Sequence, residues 1–290
     1  MHMFRVFALM AGLTILFVLF GQWLGGSQGA ILFLVIAAVM NFGMFWFSDR
    51  MVLRMYRAKV IERTDAPELF DMVDRLRQKA DLPMPTVAIA ASQQPNAFAT
   101  GRNPANAVVC CTAGILQLVD RDELEGVIAH ELGHIKHRHM LVGTLAATMA
   151  GAIAMLGSVV RWGAILGGGR DDDNGGIIGL LAMSIIAPMA AAIMHMAISR
   201  QNEFVADRTA ANITGRPMAL AGALSKLDAY SRRMPMNVNP AAAQLAIVNP
   251  LAGVRGMGLM KLFSTHPPTE DRIAKLKELA GQAEFTRVGP

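Results

Sequence analysis

Between Val6 and Ser48 the chain carries no Asp, Glu, Lys, Arg or His. A run that long without charge does not suit the surface of a water-soluble domain, and its middle, GGSQG at 25–29, is a turn signal that splits it. Residues 6–24 and 30–48 are 19 residues apiece, enough for each to cross a hydrocarbon core of about 30 Å as a helix. The pattern predicts a membrane hairpin. A second is predicted later: 140–160 is uncharged, 174–199 carries only His195, and the polar loop GGGRDDDNGG lies between them. A signal peptide over residues 1–30 is the rival reading of the first arm, but an h-region runs to only about 7 to 15 residues.

Composition agrees with four transmembrane helices. The 290 residues are 53% hydrophobic and 17% charged, with a mean hydropathy of +0.37, which excludes an ordinary soluble globule. The expected organisation is a transmembrane hairpin at 1–48, a polar part at 49–139, a second hairpin at 140–199 and a second polar part at 200–290. Arg5 precedes the first span and Arg50, Arg54, Arg57, Lys59 and Arg63 follow the second, whereas the loop between them has no charge. By the positive-inside rule both termini and both polar parts face the cytosol. The second hairpin agrees: Lys136, Arg138, Arg200 and Arg208 flank its near ends, while Arg161 and Arg170 in the far loop are offset by Asp171, Asp172 and Asp173. The net charge of +5 is therefore a topology signal. Without basic residues interleaved with aromatics, the expected partner is the lipid bilayer and no nucleic acid. Cys110 and Cys111 are adjacent, hardly able to bridge, and read as small apolar strand residues in a reducing compartment.

In the polar parts, Leu69, Met72, Val73 and Leu76 fall on one face of a predicted helix that Pro67 opens. TVAIAA at 86–91 and AVVCCT at 107–112 read as strands of a small sheet, separated by SQQPNAFATGRNPAN, whose Pro, Asn and Gly punctuate a connection. Asp120 followed by Glu123 is a capping box opening a helix through Leu124, Val127, Ile128, Leu132 and Ile135. Helical pattern also runs from the end of the second hairpin to Gly215, a C-cap with Pro217 beyond it, and again over about 269–281, with Ile273, Leu276 and Leu279 inward. Residues 234–260, rich in Met, Pro, Asn and Gly, read as irregular.

The helix after Asp120 carries His130-Glu131-Leu132-Gly133-His134, H-E-x-x-H, with its two histidines four residues apart on one face and about 6 Å apart along the axis. Both imidazoles can reach one ion, with Glu131 beside it. On a straight helix His137 lies about 10.5 Å and His139 about 13.5 Å beyond His130, too far to share that ion, and both read as interfacial residues where the helix enters the membrane. A third ligand must come from elsewhere. The best candidate segment is Glu203-Phe204-Val205-Ala206-Asp207, where one carboxylate can bind metal while the other reaches a ligand histidine's second nitrogen. An antiparallel hairpin at 140–199 would bring this segment to His134 across the 68 intervening residues. His195, alone in a span and about 12 Å from Glu203 along a helix, reads as a neutral packed histidine, and Pro188 as a kink.

HELGH, EFVAD, NAFATG at 96–101 and STHPPTEDRI at 264–273, in that order and with two spans before and two after the first, resemble the motifs of HtpX-type membrane metalloproteases, bacterial relatives of the CAAX prenyl endopeptidases. The resemblance covers nearly the whole chain. It implies a mainly α integral membrane protein with a cytosolic zincin-like α+β catalytic domain and a small β-sheet, in the bacterial inner membrane. It further implies one Zn2+ per chain on His130, His134 and Glu203, Glu131 as general base, and Asp207 hydrogen-bonded to a ligand. Asn96, Ala97, Phe98 and Ala99 are implied to form a substrate-binding edge, and His266 to approach the site as an oxyanion donor. From the residues alone, Asn96 after Pro95 reads equally as a turn residue, and His266 before two prolines as a packing or capping group. The implied function is an endopeptidase for misfolded or damaged membrane proteins and unfolded polypeptides, a quality-control role. Rival readings are a processing protease for a lipidated or precursor peptide and a metal-binding membrane scaffold without turnover.

Overall fold

The computed structural model describes residues 2–146, 148, 149, 200–233, 245–247 and 267–287; at 2, 3, 5, 24 and 283–287 it describes the backbone only. His195, Pro188, His266, the loop at 167–176, most of the second hairpin and most of 234–260 lie outside the described residues.

Helix α1 (His2–Met55) is two helices joined at Gly25 and Gly26. Gly26 has φ +57° with ψ −145°, a conformation open to glycine and strained for other residues, so the turn falls where the sequence predicts it. The arms run back along each other. Phe17 and Phe33 rings lie 6.1 Å apart, and Asn41 Nδ2 donates to Met10 O at 3.2 Å and to Thr14 Oγ1 at 2.9 Å. Val6–Trp23 and Gly25–Met55 are each long and apolar enough to cross a membrane. Their outer faces expose Phe7, Ile15, Leu19, Trp23, Ile31, Val39 and Phe42, an apolar surface suited to lipid. The second arm continues past Ser48 to Met55, where Val52 is buried beside Phe98 and the Tyr56 ring sits 4.4 Å from that of Phe98.

A four-stranded sheet follows, built from β1 (Ala58–Val60), β2 (Thr86–Ala90), β3 (Ala97–Gly101) and β4 (Ala107–Thr112), in the order β1-β2-β4-β3. β2 and β4 are parallel, and the outer pairs antiparallel, with Ala99 opposite Val109. Only β2 and β4 were legible as strands; β3 lies within the stretch that sequence reads as punctuation. Among the described residues it is an edge strand of the sheet. Helix α2 (Pro67–Lys79) buries Leu69, Met72, Val73 and Leu76 as its periodicity predicts. A short α3 (Ala113–Leu118) leads to α4 (Arg121–Lys136), whose N-terminus has the full capping box: Asp120 accepts from Glu123 N, and Glu123 accepts from Asp120 N, both at 2.9 Å.

The next described helix, α5 (Arg200–Thr214), ends at Gly215, whose φ is +68°, and Pro217 opens α6 (Pro217–Arg233), a helix that the sequence reading left out. The last helix, α7 (Thr269–Arg287), buries Leu276 with Ile273 and Leu279 partly covered. One core lies between the sheet and α2, α4, α5, α6 and α7, drawing on Val109, Val127, Ile128, Leu132, Ala210 and Leu224. A second cluster joins both arms of α1 to Leu141, Val142, Leu145, Ala146 and Met149. Glycines let α4 approach its neighbours closely. A Cβ on Gly133 would stand 3.1 Å from Ala206 Cα and O, and one on Gly126 would stand 2.9 Å from Leu220 N.

Candidate metal centre

Helix α4 brings His130, Glu131 and His134 to the core, with His130 and Glu131 buried and the His134 side chain 16% exposed. The close contact at Gly133 sets α5 against that face, so Glu203 and Asp207, one turn apart, meet the histidines. His130 Nε2 and His134 Nε2 are 3.1 Å apart; Glu203 Oε2 is 3.6 Å from the first and Oε1 is 3.5 Å from the second. Ligand atoms about 2.0–2.2 Å from a tetrahedral zinc are separated by about 3.3–3.6 Å, so these three contacts match the edges of such a polyhedron to within a few tenths of an ångström. Among the described residues this is the one cluster whose donor atoms all lie within 4.8 Å of one another.

The remaining groups hold these donors. Asp207 Oδ1 is 2.9 Å from His130 Nδ1, so the ring's other nitrogen faces His134 and Glu203. Of the two carboxylates that the sequence leaves open, Glu203 faces both histidines and Asp207 backs one of them. Sequence reasoning missed Arg272, fully buried on α7. Its Nε donates to Asp207 Oδ2 at 2.8 Å and its Nη2 to Oδ1 at 2.6 Å, while Nη1 donates to Ile247 O at 2.9 Å and lies 3.3 Å from Glu203 Oε2. The signal lay at hand in STHPPTEDRI, whose Arg272 occupies an inward position next to Ile273.

Buried charge favours a cation here. Three buried carboxyl groups, Glu131, Glu203 and Asp207, stand against the single guanidinium of Arg272. The histidines respond in opposite ways. Burial and the Arg272 charge pull His130 down, but Asp207 and Glu203 outweigh them and raise it to about 9, whereas burial lowers His134 to about 3. Burial pushes Glu131 up to about 7, with His130 opposing. The Asp207 carboxyl, despite burial, is held below its ordinary range by Arg272 and His130. Burial would lower Arg272, but Asp207 and Glu203 raise it further.

The edge strand meets the centre directly. Ala99 N donates to Glu131 Oε2 at 2.7 Å, which fixes the carboxylate against β3. Residues 96–99 do not offer side chains to an incoming chain. Asn96 donates from Nδ2 to Leu245 O at 3.1 Å and accepts at Oδ1 from Ile247 N at 3.2 Å, Phe98 is buried against Tyr56, and Ala97 and Ala99 are buried in the main core. What β3 can offer is backbone. The 245–247 segment, assigned no role from sequence, links Asn96 to Arg272 through Ile247. His137 and His139 lie near the centre without joining the donor triangle, as their distance along the helix predicts. α4 ends at Lys136, Arg138 takes φ +57°, and the chain turns back, so that His139 Nδ1 lies 3.3 Å from His134 Nδ1 while His137 Nε2 pairs with Thr209 Oγ1 at 3.0 Å.

The chain is similar over most of its length to known proteins. A family model described as Peptidase family M48 matches residues 63–280. A curated "Protease HtpX homolog" of Gemmatimonas aurantiaca is 58% identical over 282 residues, covering 97% of this chain and 100% of that protein. Proteins of the same name from Desulforapulum autotrophicum and Salinibacter ruber are 54% identical over 276 residues and 53% over 284, covering 94% and 98% of this chain and 88% and 100% of theirs. Among solved structures, the crystal structure of S. mikatae Ste24p aligns with a TM-score of 0.49 at 18% identity, over 95% of this chain and 65% of that one.

Proposed function

Since the chain belongs to Peptidase family M48, we propose that this membrane metalloprotease is a zinc endopeptidase in which His130, His134 and Glu203 hold the ion and Glu131 is the general base. The observation that carries the reading is the triangle of His130, His134 and Glu203 donor atoms beside a base held on the edge strand. When bound, zinc supplies Lewis acidity, lowering the pKa of water and polarising the scissile carbonyl.

The chain's own residues do the rest. Glu131, raised to about 7 by burial, is poised near neutrality to take a proton from the attacking water and pass that proton to the leaving amine. The Ala99 N–H keeps that carboxylate from rotating, so the proton is moved at a fixed place beside β3. Asp207 orients His130 and Arg272 orients Asp207, both from within a core that excludes water. The outer edge of β3 can take an extended polypeptide as an added strand, which selects unfolded or flexible segments by backbone. His266 is retained as the candidate oxyanion donor.

The substrates on this reading are misfolded or damaged membrane proteins and unfolded polypeptides, cut at the cytosolic face of the bacterial inner membrane as quality control. Hairpins at 1–48 and 140–199 would anchor polar parts at 49–139 and 200–290, with both termini cytosolic; the charge distribution around the apolar runs supports this layout. A reporter fused after Pro290 that proved active only outside the cytosol would reverse the orientation.

The direct test is zinc content and casein cleavage of detergent-purified protein. Wild type is expected to bind one zinc and cleave, Glu131→Ala to keep zinc without cleaving, and Glu203→Ala to retain zinc poorly. Cleavage by Glu131→Ala in a protease-free preparation would refute the mechanism.

A further inference from the structure

The two proposed ligand histidines are backed by different groups. His130 Nδ1 meets the Asp207 carboxylate at 2.9 Å, but His134 is the more exposed of the two and has a different group at its Nδ1. It meets another imidazole there. The reversal after Lys136 produces the contact: His137 N donates to Gly133 O at 3.1 Å, His139 N to His134 O at 2.9 Å, and Arg138 between them adopts φ +57°. The backbone bond from His139 to His134 fixes the two residues to each other, and their rings cross at 66° with centroids 5.5 Å apart.

We propose that His139 is a positioning residue for His134, its Nδ1 accepting the Nδ1–H of His134 across the 3.3 Å contact. The inference rests on the ligand set proposed above. His134 presents Nε2 toward His130 Nε2 and Glu203, so as a neutral ligand it must carry its proton on Nδ1. A proton there needs an acceptor. His139 supplies one when its own proton is on Nε2, and the pair then fixes both the tautomer and the ring orientation of His134. Ligand histidines in metal sites almost always donate from the second nitrogen to such an acceptor, and removing it weakens metal binding about 10- to 100-fold.

The test measures the zinc dissociation constant by chelator competition in detergent, with the visible spectrum of the cobalt-substituted protein and the melting temperature of the metal-free form beside it. His139→Ala should weaken zinc about 10- to 100-fold, alter the cobalt d–d bands and leave metal-free melting unchanged. His139→Asn places an amide oxygen near the lost Nδ1 and should recover most of the affinity and the wild-type spectrum. Wild-type affinity in His139→Ala overturns the proposal. So does equal weakening in His139→Ala and His139→Asn with lowered metal-free melting, which assigns His139 to the fold alone. His134→Ala separates the two levels of inference. If it binds zinc as wild type does, the ligand set fails and this proposal with it; if it loses zinc while His139→Ala does not, only the role of His139 fails.

Discussion

Arg272 carries the largest single stake among the residues. Its guanidinium faces the Asp207 carboxylate with two donors in a site without solvent, so removing it strands a buried charge. Arg272→Met is expected to lower stability by about 3–5 kcal/mol and to loosen zinc, read by thermal unfolding and metal content. Adding Asp207→Asn should recover part of the stability, because the two sites share one interaction. The sequence could not make this pairing visible, since 65 positions separate the partners and no local pattern relates them. The two H-E-x-x-H histidines were legible because one helix turn relates them, a distance that the backbone guarantees. The contact of His139 with His134 was not legible, because extrapolating a straight helix is sound only to Lys136. The paired cysteines make a second prediction. Burial pushes the Cys110 thiol up to about 12 and Cys111 further, whereas an unfolded thiol ionises near about 8.5. At pH 9 both should resist iodoacetamide in the native protein and react after unfolding. Above pH about 8.5 the unfolded chain has lost protons that the fold retains, so this contribution to stability falls as pH rises toward 12 and is intact below that window.

Among the elements, the contact between α4 and α5 decides whether a site exists. A Cβ on Gly133 would press on Ala206 Cα and O at 3.1 Å and on Thr209 Cβ at 3.3 Å. Gly133→Ala should therefore cost about 1–3 kcal/mol of stability through overpacking and weaken zinc retention by moving Glu203 away from the histidines. Gly143→Ala, where an added Cβ meets nothing within 4 Å among the described residues, is the control that should change neither property. Elements with strong periodicity or caps were legible: α2 through its four buried apolar positions, and α4 through Asp120 and Glu123. β3 was not, because Pro95, Asn96 and Gly101 around it are turn formers in any local reading. Its strand character comes from pairing with β4, which places Ala97 opposite Cys111 and Gly101 opposite Ala107.

For the whole molecule, the membrane hairpin and the polar unit are not separable bodies. α1 extends to Met55, Val52 is buried with Phe98 of the edge strand, and the first arm packs on Leu141, Leu145 and Met149 beyond α4. A protein lacking residues 1–48 should lose protease resistance around β3 and cleave casein poorly even in detergent, checked by limited proteolysis and zinc content. Survival of full activity would show that the hairpin is an anchor only. The apolar runs revealed the hairpin because length and missing charge are one-dimensional properties. How it touches β3 depends on packing that no stretch of sequence records.

The missing side chain at Gly133 bears on which ions can enter. It fixes the gap between two rigid helices, and with it the span from the His130 and His134 nitrogens to the Glu203 oxygens, at 3.5–3.6 Å. Calcium, which needs six to eight oxygens at about 2.3–2.6 Å, would find two imidazole nitrogens and one carboxylate there. By holding two imidazoles and one carboxylate at that spacing, the helix contact presents a nitrogen-rich claw, a donor set that suits borderline ions such as zinc better than oxygen-seeking ones.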